Sequence, residues 1–279
     1  MSIGIIVLIL GAAMLHATWN VIVKGGDNKL FETAINALGG GIGAMVFLPF
    51  LPMPDPAAWP LLALSCLFHL SYYLCISTAY KIVDLSYGYT IMRGCAPMLT
   101  AFALLVLGDS LPPAGWIGVV LLCGGVLTLA IDSLRGKIFQ LKGTLAALGT
   151  AIVIMCYTLA DGYGARASGN GISYTCWIFF LNIFLLNGYV LCRHGKTYVL
   201  YLRGRATVGL FGGLCGLGSY GIALWAMTVA PIALVAALRE SSVIFGMLMA
   251  VFFLGEKCTL ARVCAIILVV CGAMVVRLV

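Results

Sequence analysis

The chain has 279 residues, 63% of them hydrophobic and only 9% charged, with 16 Lys and Arg against 9 Asp and Glu. A soluble fold of this length cannot hide so much apolar surface behind so few charges, and disorder needs the opposite composition. The chain therefore belongs in a lipid bilayer, and its net charge of +7 has to be read from where the basic residues fall rather than as a nucleic-acid footprint.

A window of about 19 residues picks out ten apolar segments, near 3–23, 31–51, 58–80, 85–107, 111–131, 143–162, 172–192, 206–228, 232–254 and 259–277. At 1.5 Å per residue, about 20 residues cross a hydrocarbon core of roughly 30 Å. The first segment starts almost at Met1 without a basic lead and is too long for the apolar core of a signal peptide, so it reads as a spanning helix. Connections are short and carry breakers, among them Pro52, Pro54 and Pro56, Pro112 and Pro113, and Gly169 to Gly171. The 11 cysteines form no CxxC pair and mostly lie inside apolar runs, where cysteine packs as a small hydrophobe. Neither a metal site nor a cofactor is expected.

The two halves resemble each other. RGCAPMLTAFALLVLGDSL begins at Arg93 and RESSVIFGMLMAVFFLGEKCTL at Arg239. Both run from Arg through small and apolar residues to a Leu-Gly-acid triplet, Leu107-Gly108-Asp109 and Leu254-Gly255-Glu256. A five-plus-five duplication fits, with repeats at 1–135 and 136–279. Five is odd, so the second copy enters the membrane from the opposite side. The expected fold is thus an all-α integral membrane protein, ten transmembrane helices in two inverted repeats around a central cavity.

Twelve basic residues follow odd-numbered segments: Lys24, Lys29, Lys81, Arg135, Lys137, Lys142, Arg193, Lys196, Arg203, Arg205, Lys257 and Arg262. The opposite side holds Arg166 and Arg277, and Arg93 and Arg239 lie within segments. The positive-inside rule then places the odd loops in the cytoplasm and both termini outside.

Ionisable groups inside a membrane are functional candidates by default. His16 and Asn20 share a helix face four residues apart, with Trp19 between them. They either read a polar substrate or hydrogen-bond to neighbouring helices. His69 and Tyr73 form a stripe on the third segment, and Tyr89, Arg93 and Pro97 one on the fourth. Arg93 lies too deep to snorkel comfortably. Arg239 and Glu240 are adjacent and leave their helix about 100° apart. One resolution is an Arg93–Glu240 ion pair across the repeats, which leaves Arg239 for an anionic substrate group gripped in a bidentate fork; the other is that all three only staple helices. Asp161 and Tyr157 share a face of the sixth segment. Tyr220 and Trp225 offer an aromatic wall on the eighth. GxxxG pairs at Gly39/Gly43 and Gly212/Gly216 allow close helix approach. No Walker loop, GxSxG or HExxH occurs, so the chain does not read as an enzyme.

These features resemble the EamA family of the drug/metabolite transporter superfamily. The likeness covers essentially the whole chain and is most specific in the Arg to Leu-Gly-acid stretch. It implies a central cavity lined mainly by the first, third, fourth, sixth, eighth and ninth helices, with the fifth and tenth peripheral. It also implies movement of small polar metabolites without ATP, often export of amino acids or related zwitterions and amines. Carried over by position, the resemblance points to His16, Trp19, Asn20, Tyr73, Arg93, Tyr157, Arg239 and Glu240, and the residue reading adds His69, Tyr89 and Trp225. Many such proteins keep both termini in the cytoplasm, the reverse of the charge count here. The His-Ala-Thr-Trp-Asn stretch is similar to a branch associated with phosphonate use, and two intramembrane arginines suit an aminophosphonate. Expected partners are a small-molecule substrate, protons as coupling ion and membrane lipids, with no nucleic acid. The expected state is a monomer or weak dimer in the inner (plasma) membrane. A head-group flippase and a membrane-embedded lipid-modifying enzyme are the alternatives.

Overall fold

The computed structural model describes the backbone of residues 1–82, 85–133, 141–254 and 259–279, and their side chains except at 76–82, 85–87, 131–133 and 250–254. The second Gly-acid pair, Gly255 and Glu256, and the expected repeat boundary at 135/136 lie outside the described residues, as do the side chains of Tyr80 and Tyr87. All regular structure among the described residues is helical: α1 Ile3–Gly25, α2 Lys29–Phe47, α3 Trp59–Ile82, α4 Leu85–Val106, α5 Pro113–Ser133, α6 Leu141–Ala167, α7 Gly171–Asn182, α8 Gly188–Val229, α9 Ile232–Arg239, α10 Ser241–Leu254 and α11 Leu260–Val276. Side-chain caps mark several starts. Asn28 accepts from the Phe31 N–H (3.2 Å), and Asn170 from those of Ile172 and Ser173 (3.1 and 3.0 Å), satisfying donors that a first turn leaves open.

The first six expected segments each become one helix. The seventh and eighth are instead one helical path, Gly171–Val229, of 59 residues. A π-helical turn, Ile183–Asn187, joins α7 to α8, and the path breaks at Gly195 (φ 44°, ψ −120°), a conformation that glycine reaches without steric cost. The ninth segment is split at Glu240 into α9 and α10. Eight stretches are long and apolar enough to cross a membrane, and α11 is a shorter apolar helix, so the expected ten appear among the described residues as eight plus one.

Large apolar side chains lie exposed around the outside, including Val7, Val46, Leu67, Ile117, Phe211 and Ile267. Such a surface is unfavourable in water and natural in lipid. Inside, α3 packs on α6 and α1 on α8, while α5 packs on α11. Exchanging the halves maps these contacts onto one another, the pattern expected of two related repeats. At the seam between α2 and α8, a Cβ on Gly39 or Gly213 would strike backbone of the other helix. The seam therefore uses Gly209 and Gly213 opposite Gly39 and Gly40, whereas Gly216 looks into the central space. The first Leu-Gly-acid triplet also has a structural reason. Gly108 sits at φ +93° just past α4, with Gly108 N–H bonding Leu105 O and Asp109 N–H bonding Leu104 O (3.2 and 2.8 Å), a helix stop that favours glycine.

Candidate substrate-binding site

A cavity opens between the halves. Its lining comes from α1 (His16, Trp19), α2 (Thr33, Asn36, Ala37), α3 (His69, Tyr72, Tyr73), α4 (Arg93), α6 (Tyr157), α7 (Ile178, Phe179, Asn182), α8 (Gly212, Gly213, Gly216, Tyr220) and α9 (Arg239). The cavity holds about 100 Å³, enough for several waters at roughly 10–15 Å³ each. The second and seventh segments thus line the cavity together with those the family resemblance singles out. The fifth and last stay peripheral, packed on each other.

The two arginines occupy different environments. Arg93 Nε lies 2.7 Å from Glu240 Oε2, both side chains almost fully buried, and its outer nitrogen reaches Ser242 Oγ at 3.4 Å. The ion pair crosses from one repeat to the other. Glu240 sits where α9 gives way to α10, and Val243 N–H bonds Glu240 O at 3.0 Å, tightening the turn that aims the carboxylate at α4. On α4, Pro97 has no N–H for the Arg93 carbonyl, so the continuous helix lacks one backbone hydrogen bond beside the first arginine. Arg239 faces no carboxylate at salt-bridge distance among the described residues. Its guanidinium lies over the Tyr220 ring, 4.9 Å from the centroid, and its Nε is buried without a hydrogen-bond partner.

His16 accepts from Trp19 Nε1–H through Nδ1 at 3.2 Å, the two rings edge to face. His69 stacks on Tyr157 (4.5 Å), and Tyr72 adjoins both Tyr157 and Tyr73. Behind this wall lies Asp161, with no exposed surface. It accepts from the Tyr220 hydroxyl and, at 3.5 Å, from that of Tyr174, and it stands 4.0 Å from His69 Nε2.

Four expected site residues do not line the cavity. The Asn20 amide donates to the His16 carbonyl of its own helix at 2.8 Å, the internal partner that four-residue spacing makes available. Tyr89 carries Lys24 Nζ over its ring at 5.2 Å. Glu240 stands behind Arg93 as its counter-ion. Trp225 lines a separate groove of about 450 Å³ with Leu8, Phe47, Leu214 and other apolar residues, because it leaves α8 on a different side from Tyr220.

The cavity also holds residues that the sequence reading passed over. Asn36 and Asn182 donate to carbonyls four residues back, Glu32 O and Ile178 O (2.8 and 3.0 Å), and their amide oxygens are buried without partners. An amide in an apolar run is the same signal as the arginines, at lower cost. Glu32, fully buried on α2, accepts from Tyr201 and Arg205 of α8 (2.7 and 2.8 Å) and locks those helices near one membrane face. At the opposite face Asp109 accepts from Tyr163 at 2.9 Å, and Arg166 donates to Met227 O and Ala230 O (2.8 and 3.1 Å).

Among curated proteins none matches the chain in sequence. A protein of known crystal structure superposes with a TM-score of 0.78 over 100% of this chain and 98% of its own, at 18% identity, a likeness of fold. The model of the EamA-like transporter family matches residues 3–131 and again 141–278. With both halves matched and the helices gathered around one cavity, this multi-pass membrane protein belongs to the EamA-like transporter family.

Proposed function

We propose that the chain is a secondary transporter, an exporter or exchanger of small zwitterionic metabolites such as amino acids or aminophosphonates, working by alternating access. The observation that carries this reading is the unequal neutralisation of the two arginines. Arg93 has its counter-ion at 2.7 Å, while Arg239 lines the cavity with no carboxylate at salt-bridge distance among the described residues, a state that a carboxylate or phosphonate would relieve. The unpartnered oxygens of Asn36 and Asn182 supply acceptors for an ammonium group. Ten crossings in two inverted repeats suit the reading: the 59-residue path is long enough for two crossings meeting at Gly195, and α11 is the tenth. We place the repeats at 1–135 and 136–279 and the protein in the inner (plasma) membrane as a monomer or weak dimer.

The test is a thermal-shift screen of purified protein with amino acids, amines, aminophosphonates and nucleosides, since a ligand stabilises the state it binds. A zwitterion with an anionic group raises the melting temperature, and Arg239→Ala removes the rise. Stabilisation by amines alone, unchanged in Arg239→Ala, overturns the reading. The apolar groove around Trp225 favours a head-group flippase as the second reading, which requires stabilisation by phospholipid and none by soluble zwitterions.

A further inference from the structure

Asp161 has no role in the site as described, yet its carboxylate is completely removed from solvent behind the cavity wall. Two cavity-lining side chains, Tyr220 and His69, separate it from the space. Ser65 supplies both partners of His69 Nδ1. This nitrogen lies 3.0 Å from the Ser65 carbonyl oxygen, which can only accept, and 3.2 Å from Ser65 Oγ; with the carbonyl as its partner, Nδ1 carries a hydrogen. In the neutral ring Nε2 is then a bare acceptor, and it faces Oδ2 of Asp161 at 4.0 Å. Two acceptors facing each other in a water-poor interior have room for one proton between them. It sits either on Nε2, as imidazolium beside carboxylate, or on the carboxyl beside neutral imidazole.

Every element packed against Asp161 sharpens the point. From α3 come Ser65, Cys66 and His69; from α7 Tyr174; from α8 Tyr220; from α9 Arg239, acting from beyond the Tyr220 ring; from α6 itself Tyr157. The α4 contribution, Arg93, faces Tyr157 and is neutralised by Glu240. The Asp55 carboxylate, beside the Pro56–Ala58 turn, caps the Ala57 N–H.

We propose that His69 and Asp161 form a one-proton site loaded from the cavity, and that Tyr220 passes its occupancy to Arg239. The idea rests on the transport reading and names its coupling ion. A proton from cavity water adds to Nε2 of His69 and moves to Oδ2 of Asp161, which returns the ring to neutrality; no other bond forms or breaks. A carboxylate holds the Tyr220 hydroxyl by a charge-assisted bond, and a neutral carboxyl holds it more weakly. The Tyr220 ring is the surface on which Arg239 lies, so proton loading loosens the support of the substrate-binding guanidinium. Substrate and proton then compete for one side of the cycle, as an exchanger requires.

The test has two arms. Infrared difference spectra of the wild type between about pH 5 and about pH 8 should show a protonated-carboxyl band that Asp161→Asn removes. The midpoint of that band should move by about tenfold or more in proton concentration in His69→Gln. Tyr220→Phe, which keeps the ring, should move the midpoint as well and serves should Asp161→Asn fail to fold. In the second arm, vesicles containing the protein and an entrapped pH dye receive 2-aminoethylphosphonate as probe, and proton movement should accompany its uptake. A missing band, or a midpoint unmoved in both His69→Gln and Tyr220→Phe, overturns the proposal, and the transport reading survives if the wild type still moves the probe. Uptake without proton movement overturns the proposal too. A titrating band with no uptake of any zwitterion sinks the transport reading, and the coupling role falls with it.

Discussion

Arg93 on α4 and Arg239 at the end of α9 open the same repeated stretch, yet one is held by Glu240 at 2.7 Å and the other rests on an aromatic ring. The difference begins one residue later. Glu240 follows Arg239, whereas Gly94 follows Arg93, and a Cβ at 94 would come within 2.7 Å of Leu127 on α5. In the first repeat a side chain at this position would have to displace Leu127, where the second repeat carries its acid. A single carboxylate therefore serves two arginines, and because adjacent side chains diverge by about 100° it serves the one in the other half. The halves share a plan, and Arg239 is left with no carboxylate at ion-pair distance among the described residues.

The comparison breaks most completely when the ion pair does. Arg93→Ala or Glu240→Gln leaves a buried group without its partner and should cost about 3–5 kcal/mol, read as a large fall in melting temperature in detergent. Replacing both, Arg93→Met with Glu240→Leu, should recover most of that loss. The other arginine behaves in the opposite way. Arg239→Ala should leave the fold intact and weaken the stabilising zwitterion roughly 10- to 100-fold, as losing a charged hydrogen bond of about 1.5–3 kcal/mol implies. Arg239→Lys should fall between, because an ammonium cannot lie flat on Tyr220 and present a fork. Gly94→Ala probes the origin of the asymmetry and should cost about 1–3 kcal/mol by overpacking against Leu127, with ligand affinity retained. Trp225→Ala sets the lower bound: its groove is separate, so ligand affinity measured by thermal shift should stay within about twofold.

The arginines were legible in the sequence because a charge within an apolar run has few physical explanations; the divergence of adjacent side chains made an Arg93–Glu240 pair one of two readings, and the structure has that pair. Asn20 was misleading for a local reason. Spacing places a side chain on a face, but a short amide can close on its own helix four residues back, and that option leaves no trace in the pattern. Asn36 and Asn182 do the same with their donors and keep an oxygen over. Trp225 was misplaced because α8 is apolar on most sides, so no amphipathic stripe told its cavity face from its lipid face. The segment count differed by one where the helical path ran on across the kink at Gly195, and the ninth segment was divided at Glu240 without changing the count. Both are backbone choices that hydropathy does not register.

The Glu32–Arg205 lock bears on how the protein is made. Glu32 is emerging from synthesis when its partners, Tyr201 and Arg205, are still 169 and 173 residues away. At roughly 5–20 residues per second the nascent chain holds a carboxylate without its cation for about ten seconds or more. Arg93 waits similarly for Glu240. The first half is thus an unfinished object while it stands alone, with one acid and one base that only the second half can neutralise. Truncated chains should be poor membrane residents and ready targets for quality control, and the two halves, if expressed as separate polypeptides, should accumulate only together.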